Sequence, residues 1–265
     1  MKAYLALFRI RFINSLQYRL AALAGVVVSF AWGVMSILAY AAFYRADPAA
    51  FPMEFPHLVS YIWMHEALLL LFSPWGGTSD AVESIVSGNI AYELARPMDI
   101  YDRWFVEAAA NKVAKTALRC VPILIIAFLL PPPYGMAIQA SLFQLSMFVL
   151  SVPLCLGVTT AYCMLDNIST FHTMSRSNVI FVIVADFFAG AYIPLPFFPE
   201  PLRKIVELTP FAAMQNMPLR IFSGDIAGAE ALRGVALQVF WLAALLVAGK
   251  LLMRNSLRRV VSQGG

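Results

Sequence analysis

Three ionisable side chains lie inside apolar stretches of the sequence and are the first candidates for chemistry. His65 and Glu66 are adjacent within residues 57–75, and Asp186 interrupts residues 178–196. Charged groups in hydrocarbon are costly and face a cavity, a partner or one another. Structural pairing, contact with a substrate and ion coupling all fit, although ion coupling needs more such groups in line across a bilayer. We take all three residues as candidates for a translocation path.

Motifs for catalysis are absent from the sequence. There is no GxxxxGK[ST] nucleotide loop, since the single Gly-Lys pair, Gly249-Lys250, is not followed by serine or threonine. HExxH, GxSxG and zinc-type clusters are also missing, and the cysteines have no metal-ligand spacing: Cys120, Cys155 and Cys163. We predict that the chain is not an enzyme, has no catalytic residue and binds neither a metal nor a cofactor.

The elements that position these residues are predicted to be membrane helices. Of the 265 residues 61% are hydrophobic and only 13% are charged, which lies outside the range of soluble proteins. The apolar residues come in runs of about 20, the length that a helix needs to cross a bilayer. We predict an all-α integral membrane protein with six spans, at about 20–44, 57–75, 116–132, 138–163, 178–196 and 235–253.

The distribution of lysine and arginine predicts the orientation of these spans. Six spans place both chain ends on one side, and 14 of the 19 basic residues fall on that side. The other five are Arg45, Arg203, Lys204, Arg220 and Arg233. Because basic residues are enriched in cytoplasmic loops, both ends are predicted to be cytoplasmic. The net charge of +4 then reflects contact with anionic lipid headgroups rather than nucleic acid, for which no basic soluble module exists.

A cytoplasmic segment at residues 80–115 joins the second and third predicted spans. Its first part carries apolar residues at helical spacing and predicts one short amphipathic helix: Val82, Ile85, Val86, Ile90 and Leu94. Arg96-Pro97 ends this helix, because a residue before proline avoids the α region. A charged helix from Tyr101 to Arg119 then leads into the third span. The segment is either a solvated linker or a docking element for a cytoplasmic partner.

Two further segments lie outside the predicted spans. Residues 1–19 are predicted to form an interfacial amphipathic helix, with Leu5, Phe8, Phe12 and Leu16 at helical spacing, although a basic flank of the first span would look similar. Residues 197–234 form a long, apolar outer loop that either re-enters the membrane or caps the assembly, the alternative being a loosely ordered surface loop. Residues 20–265 would form the six-helix transmembrane domain.

The segment after the second span resembles a known family. Ile85-Val-Ser-Gly-Asn-Ile-Ala-Tyr-Glu-Leu-Ala-Arg-Pro-Met-Asp99 is similar to the Ile-x-x-Gly-x-Ile…Leu-x-Arg-Pro-x-Asp pattern of one bacterial branch of ABC-2 type ABC transporter permeases. Leu208-Thr-Pro-Phe211 and Pro218 in the outer loop support the likeness. The chain resembles these six-span exporter subunits in topology over nearly its whole length.

This resemblance implies a function and partners. The segment would be a coupling helix that inserts into a separate ABC ATPase subunit, and ATP and Mg would be bound by that partner. The residues at the contact would be Glu83, Gly88, Asn89, Glu93, Arg96 and Asp99. Two permease subunits, identical or different, would form the transporter in the bacterial plasma (inner) membrane. It would export an amphipathic or lipid-like substrate such as a drug, an antibiotic or a lipid.

Three other classes of membrane protein compete with this hypothesis. An ion-coupled secondary transporter should show inverted repeats and broken helices at the midplane, and neither is evident. A membrane-embedded enzyme would need clustered histidine, aspartate or serine on adjacent spans. A non-transporting membrane scaffold is compatible with the sequence.

Overall fold

The computed structural model describes residues 2–75, 79–173 and 179–258. Within these ranges the chain is helical and contains no strand. The α-helices are α1 (Lys2–Ser15), α2 (Arg19–Ala46), α3 (Phe55–Phe72), α4 (Ser79–Val86), α5 (Ile90–Leu94), α6 (Ile100–Leu129), α7 (Leu142–Thr173), α8 (Val179–Ala189), α9 (Glu200–Val206), α10 (Pro210–Met214), α11 (Asn216–Ser223) and α12 (Gly228–Leu257). Short 3-10 helices occur at Pro48–Ala50 and Leu195–Phe197. Arg176 and Arg259, which belong to the charge count above, lie outside the described residues.

Four of the described helices are long and apolar enough to cross a membrane. They are α2, α3, α7 and α12, with 28, 18, 32 and 30 residues. Large apolar side chains are exposed along the outer faces of three of them, including Leu20, Val27 and Phe43 of α2, Val149 and Leu150 of α7, and Val239, Phe240 and Leu251 of α12. An exposed apolar surface of this extent fits hydrocarbon rather than water. The chain is therefore an all-helical, multi-pass membrane protein.

The two other predicted spans differ from the expected form. α6 has 30 residues, but Lys112, Lys115 and Arg119 interrupt its apolar character. α8 has 11 residues, about 16 Å of helix, and covers roughly half of the hydrocarbon thickness. The prediction extended this span to residue 196, whereas the helix ends at Ala189 because Gly190 takes a φ of +87°. Among the helices of the described ranges, four thus satisfy the length and composition of a span, and the number of six spans stays a prediction.

α3 lies at the centre of the bundle. It packs against α2, α6, α7 and α11, and 13 of its 18 residues are buried. A helix that is apolar on all sides is expected in such a central position. Polar groups of α3 hold the connection between α6 and α7, since Trp63 Nε1 donates to the Tyr134 carbonyl at 2.8 Å and Ser60 Oγ donates to the Ala137 carbonyl at 2.9 Å.

Residues 197–234, predicted as a re-entrant or capping loop, fold into three short helices and the start of α12. Ala212, Met214 and Leu219 of α10 and α11 are fully buried, and these helices pack against α3, α7, α8 and α12. Arg220 of α11 binds Glu207 Oε1 at 2.8 Å and also contacts Asp225. This segment is therefore an ordered part of the bundle, and its depth in the membrane stays a prediction.

α1 and the last turns of α12 lie at the same end of the bundle. α1 packs along α6, and Lys250 Nζ of α12 binds Asp102 Oδ1 of α6 at 2.7 Å. α1 ends at Ser15, whereas the predicted helix extended to residue 19. Leu5 of its predicted apolar stripe is exposed. The other stripe residues, Phe8, Phe12 and Leu16, are half-buried. Ser15 is buried beside them, and its Oγ donates to Asn111 Oδ1 of α6 at 2.7 Å. That α1 lies in the membrane interface stays a prediction.

Gln238 joins α12 to two other helices and provides a test of this packing. Its side chain is fully buried, accepts from Ser151 Oγ at 2.7 Å and donates to the Ala213 carbonyl at 3.0 Å. We expect Gln238→Leu to cost about 1–2 kcal/mol of stability, because buried partners lose their hydrogen bonds. Thermal unfolding in detergent should show a lower midpoint than for Gln139→Leu, a change of an exposed glutamine. Equal midpoints for the two variants would contradict this role.

Candidate functional site

A cavity of about 390 Å³ lies between α2, α3 and the end of α8. α6 and the residue that links α10 to α11 complete its wall, through Arg119 and Gln215. The three ionisable residues that the sequence singled out, His65, Glu66 and Asp186, all line this cavity although they come from α3 and α8. Its size is that of a small-molecule site.

Small residues of α2 create the space beside the acidic groups. A Cβ atom added to Gly33 would lie 2.9 Å from the Trp63 ring and 3.4 Å from Glu66 Cγ, so the helices approach closely here. Ser29 and Ser36, about one turn on either side of Gly33, line the cavity. This strip of small side chains leaves room in front of Glu66 that larger residues would fill.

The direct contacts of the two carboxylates of the cavity are made with a titratable imidazole and a neutral indole. His65 Nδ1 lies 3.8 Å from Glu66 Oε1, a pair that is ionic only when the imidazole is protonated. Trp75 Nε1 donates to Asp186 Oδ2 at 2.5 Å. Across the described ranges, neither carboxylate forms an ion pair with a lysine or arginine.

Several buried polar atoms of the cavity wall have no hydrogen-bond partner. They belong to Tyr61 (Oη), His65 (Nε2), Glu66 (Oε2) and Gln215 (Nε2). Buried polar groups in native proteins are nearly always paired, with protein, water or a ligand. Four such groups around one cavity make it the strongest candidate for a binding site in the described chain.

Sequence analysis missed the basic residues beside this cavity. The charge count places Arg119 on the cytoplasmic side, at the end of the charged helix that leads into the third span. Its guanidinium occupies the space that a Cβ of Gly25 would take. Lys112 is buried and donates to the carbonyl of Ser73, the residue that directly follows α3. Lys112 and Arg119 are seven residues apart in α6 and therefore lie on one face of the helix. This spacing is the sequence signal that could have identified them.

The segment between α3 and α6 is not the single helix that its apolar spacing predicts. α4 ends at Val86 and α5 begins at Ile90. Gly88 takes a φ of +76°, a conformation that a residue with a side chain rarely adopts, and this turn separates the two helices. One continuous apolar stripe therefore does not form, and Leu94, at the end of the predicted stripe, is exposed.

The two short helices bury one face and expose the other. Ala81, Ile85 and Ile90 pack with Trp104 of α6 and Met164 of α7. The predicted contact residues Glu83, Gly88, Asn89, Arg96 and Asp99 are all exposed. Asp99 also caps α6, because its side chain accepts from the backbone amide of Asp102 at 3.0 Å.

Glu93 is the predicted contact residue that turns inward. Its carboxylate contacts Arg103 and lies 3.6 Å from Arg96. Arg103 is buried and lies 3.8 Å from Glu107, which binds Arg11 of α1 at 3.3 Å. A buried ion-pair network thus joins α5, α6 and α1. Sequence analysis did not predict it, because Arg11 lies far from the other members in the chain and residue spacing does not show which charges become buried.

Charge in this network is balanced over several groups. Arg11 also contacts Asp80 Oδ2 at 3.3 Å, which adds α4 to the network. Burial, together with the nearby Arg11, lowers the pKa of the Arg103 guanidinium below its ordinary value, and the carboxylate of Glu107 opposes this shift. An arginine keeps its charge under such opposing effects, so Arg103 holds its carboxylates at neutral pH.

Comparison with known proteins gives a family for the chain. The sequence pattern of a family described as "ABC-2 family transporter protein" matches residues 30–264, which is most of the chain. A search of curated proteins finds no match.

In the described part of the chain, no three histidine, cysteine, aspartate or glutamate side chains are grouped as metal ligands.

Proposed function

The chain belongs to the ABC-2 family of transporter proteins, and from this membership we propose that it is the permease subunit of an ATP-driven exporter. A separate ABC ATPase subunit supplies the energy, and the cargo is an amphipathic or lipid-like molecule such as a drug, an antibiotic or a lipid. The family match over residues 30–264 is the observation that carries this proposal. The setting proposed is the bacterial plasma membrane, with both ends of the chain in the cytoplasm.

The exposed surface of α4 and α5 supports a contact with the ATPase. It presents Asn89, Tyr92, Leu94 and Arg96 around the Gly88 turn, and Tyr92 is 76% exposed. Aromatic and arginine side chains are frequent anchors of protein interfaces. The buried face holds the same segment firmly on α6 and α7, so a force applied here would pass to the bundle.

A physical path connects this surface with the cavity. Glu93 of α5 binds Arg103 near the start of α6, and α6 reaches the cavity through Arg119. Lys112, between these two arginines, binds the end of α3. Movement of α5 by the ATPase would therefore shift α6 against α3 and change the cavity. ATP drives the cycle because the ATPase binds one conformation of the permease more tightly than the other.

A second permease subunit is part of the proposal. Exposed apolar side chains on α2 and α12 offer contact surfaces for another copy as well as for lipid. The partner permease would be identical or a sister chain, with the cargo moving between the two subunits.

The first experiment asks for the ATPase and for ATP-driven transport. The tagged chain, purified in mild detergent from its native membranes, should retain a soluble ABC ATPase. Everted membrane vesicles containing both should accumulate cargo with ATP even after a protonophore collapses the ion gradient. Transport that stops with the protonophore while ATP remains would favour the ion-coupled carrier instead.

Substitutions on the α4–α5 surface should uncouple the two subunits. We expect Gly88→Trp and Arg96→Glu each to lower ATP-driven transport at least tenfold, because bulk or reversed charge would block docking. Membrane insertion should be kept in both variants. A Cβ at Gly88 meets nothing within 4 Å, so Gly88→Trp should lose only the roughly 1–2 kcal/mol of stability that its positive φ costs a residue with a side chain. Transport and ATPase co-purification are the measurements.

Matched controls separate docking from backbone strain. Gly228 also has a positive φ, of +55°, and open space around it, but lies at the start of α12. Gly228→Trp should therefore leave ATPase binding intact, as should Arg9→Glu on the exposed face of α1. If Gly228→Trp abolished co-purification as strongly as Gly88→Trp, the docking surface would be elsewhere.

A further inference from the structure

We propose that the cavity between α2, α3 and α8 binds an amphipathic amine, whose ammonium group is held by Glu66 and Asp186. This inference rests on the proposed transport function and names the chemical class of its cargo. Two carboxylates line the same cavity, and no lysine or arginine of the described chain forms an ion pair with them.

Of the basic groups near the cavity, Arg119 lies away from Glu66, and Lys112 is hydrogen-bonded to the backbone. Glu66 lies against Gly33 and Arg119 against Gly25; eight residues of helix separate these glycines, which is about 12 Å. The Lys112 ammonium is close enough to act on Asp186 but donates to the Ser73 carbonyl. A bound ammonium would compensate carboxylates that are costly in a membrane interior.

The lining of the cavity favours an organic cation over a metal ion. Trp32, Tyr40, Tyr61 and Trp75 contribute aromatic rings, which attract ammonium groups and cover apolar tails. Within the described ranges, no set of three side chains suits a metal. The unpaired Oε2 of the 7% exposed Glu66 offers an acceptor for an ammonium hydrogen.

Access to the cavity fits a molecule that partitions into lipid. Val28, Trp32 and Tyr192 line the cavity, and each is more than half exposed. The first two lie on the outward apolar face of α2. An amphiphile could therefore enter from the bilayer with its tail in lipid and its charged end toward Glu66.

Equilibrium binding to the purified chain in lipid nanodiscs tests the proposal without ATP or an ATPase. Radiolabelled decylamine is compared with decanol and decanoate, and binding to empty nanodiscs of the same lipid is subtracted. We expect one saturable site per chain that prefers decylamine. Equal binding of decanol, or preference for decanoate, would overturn the proposal, and this comparison needs no variant.

Isosteric variants identify the groups that hold the amine. Glu66→Gln and Asp186→Asn should each weaken decylamine binding by about thirtyfold or more, because one partner of a buried charge pair is removed. Glu54→Gln, on an exposed glutamate just before α3, should bind like the unchanged chain. Wild-type affinity in both cavity variants would show that their carboxylates do not bind the cation.

The outcomes also separate this inference from the proposed function. If the chain carries out ATP-driven export but binds no amine, the function stands and the cargo class is wrong. If decylamine binds at Glu66 and Asp186 but no ATPase associates with the chain, the site stands and the exporter proposal fails.

Discussion

Replacing Arg103 by methionine is expected to destabilise the protein by about 3 kcal/mol or more and to uncouple it from its ATPase. Arg103 is 2% exposed and pairs with Glu93 of α5 and Glu107 of α6. Removing it leaves carboxylates buried without their main cation, which is among the most damaging single changes in a protein. Thermal unfolding in detergent should show a markedly lower midpoint.

The matched control for this variant lies on the same helix. Lys115→Met removes an exposed cation of α6 and should shift the midpoint little. Glu93→Gln in the Arg103→Met background should restore part of the stability, since it removes one of the unpaired charges. Identical midpoints for Arg103→Met and Lys115→Met would show that the buried network contributes nothing.

Replacing Gly33 by leucine should separate α2 from α3 and remove the cavity. Even a Cβ atom would lie 2.9 Å from the ring of Trp63, a side chain that is fully buried at the centre of the bundle. Overpacking of this kind typically costs about 1–3 kcal/mol, and the fixed position of Trp63 favours the upper part of that range. Decylamine binding should be lost, and the midpoint of thermal unfolding should fall.

Ala31→Leu is the control for the leucine substitution. Ala31 is two residues away on the same helix but is exposed on the outer apolar face. Added apolar volume there meets lipid and should leave both binding and the unfolding midpoint unchanged. A Gly33→Leu protein with normal stability and normal amine binding would mean that α2 and α3 do not pack as described.

Much of the membrane architecture could be predicted because it depends on local composition. The predicted spans at 20–44, 57–75, 138–163 and 235–253 correspond to α2, α3, α7 and α12. Backbone groups in lipid have to be satisfied within the helix, so an apolar run of sufficient length leaves few alternatives. The family resemblance, carried by residues 85–99, agrees with the family match.

Predictions failed where one backbone conformation or distant packing decided the result. Periodicity predicted a single helix over residues 80–94, but the positive φ of Gly88 divides it into α4 and α5. The span predicted to end at residue 196 stops at Ala189 for the same reason, at Gly190. Hydrophobic spacing does not report the φ of one glycine, which depends on what its neighbours pack against.

Composition and motifs in the sequence were sufficient to show that the chain is a helical membrane protein and which family it resembles. They also selected candidate residues inside the predicted spans. The cost of ionisable groups in hydrocarbon was enough to select His65, Glu66 and Asp186. The packing of the helices brings these residues into one cavity with Arg119, and it pairs Arg103 of α6 with Glu93 of α5. The cavity residues come from α3, α6 and α8, which are separated in the chain, so their meeting depends on how these helices pack. The pairing of Arg103 with Glu93 depends on the turn between α5 and α6, which hydrophobic spacing does not specify.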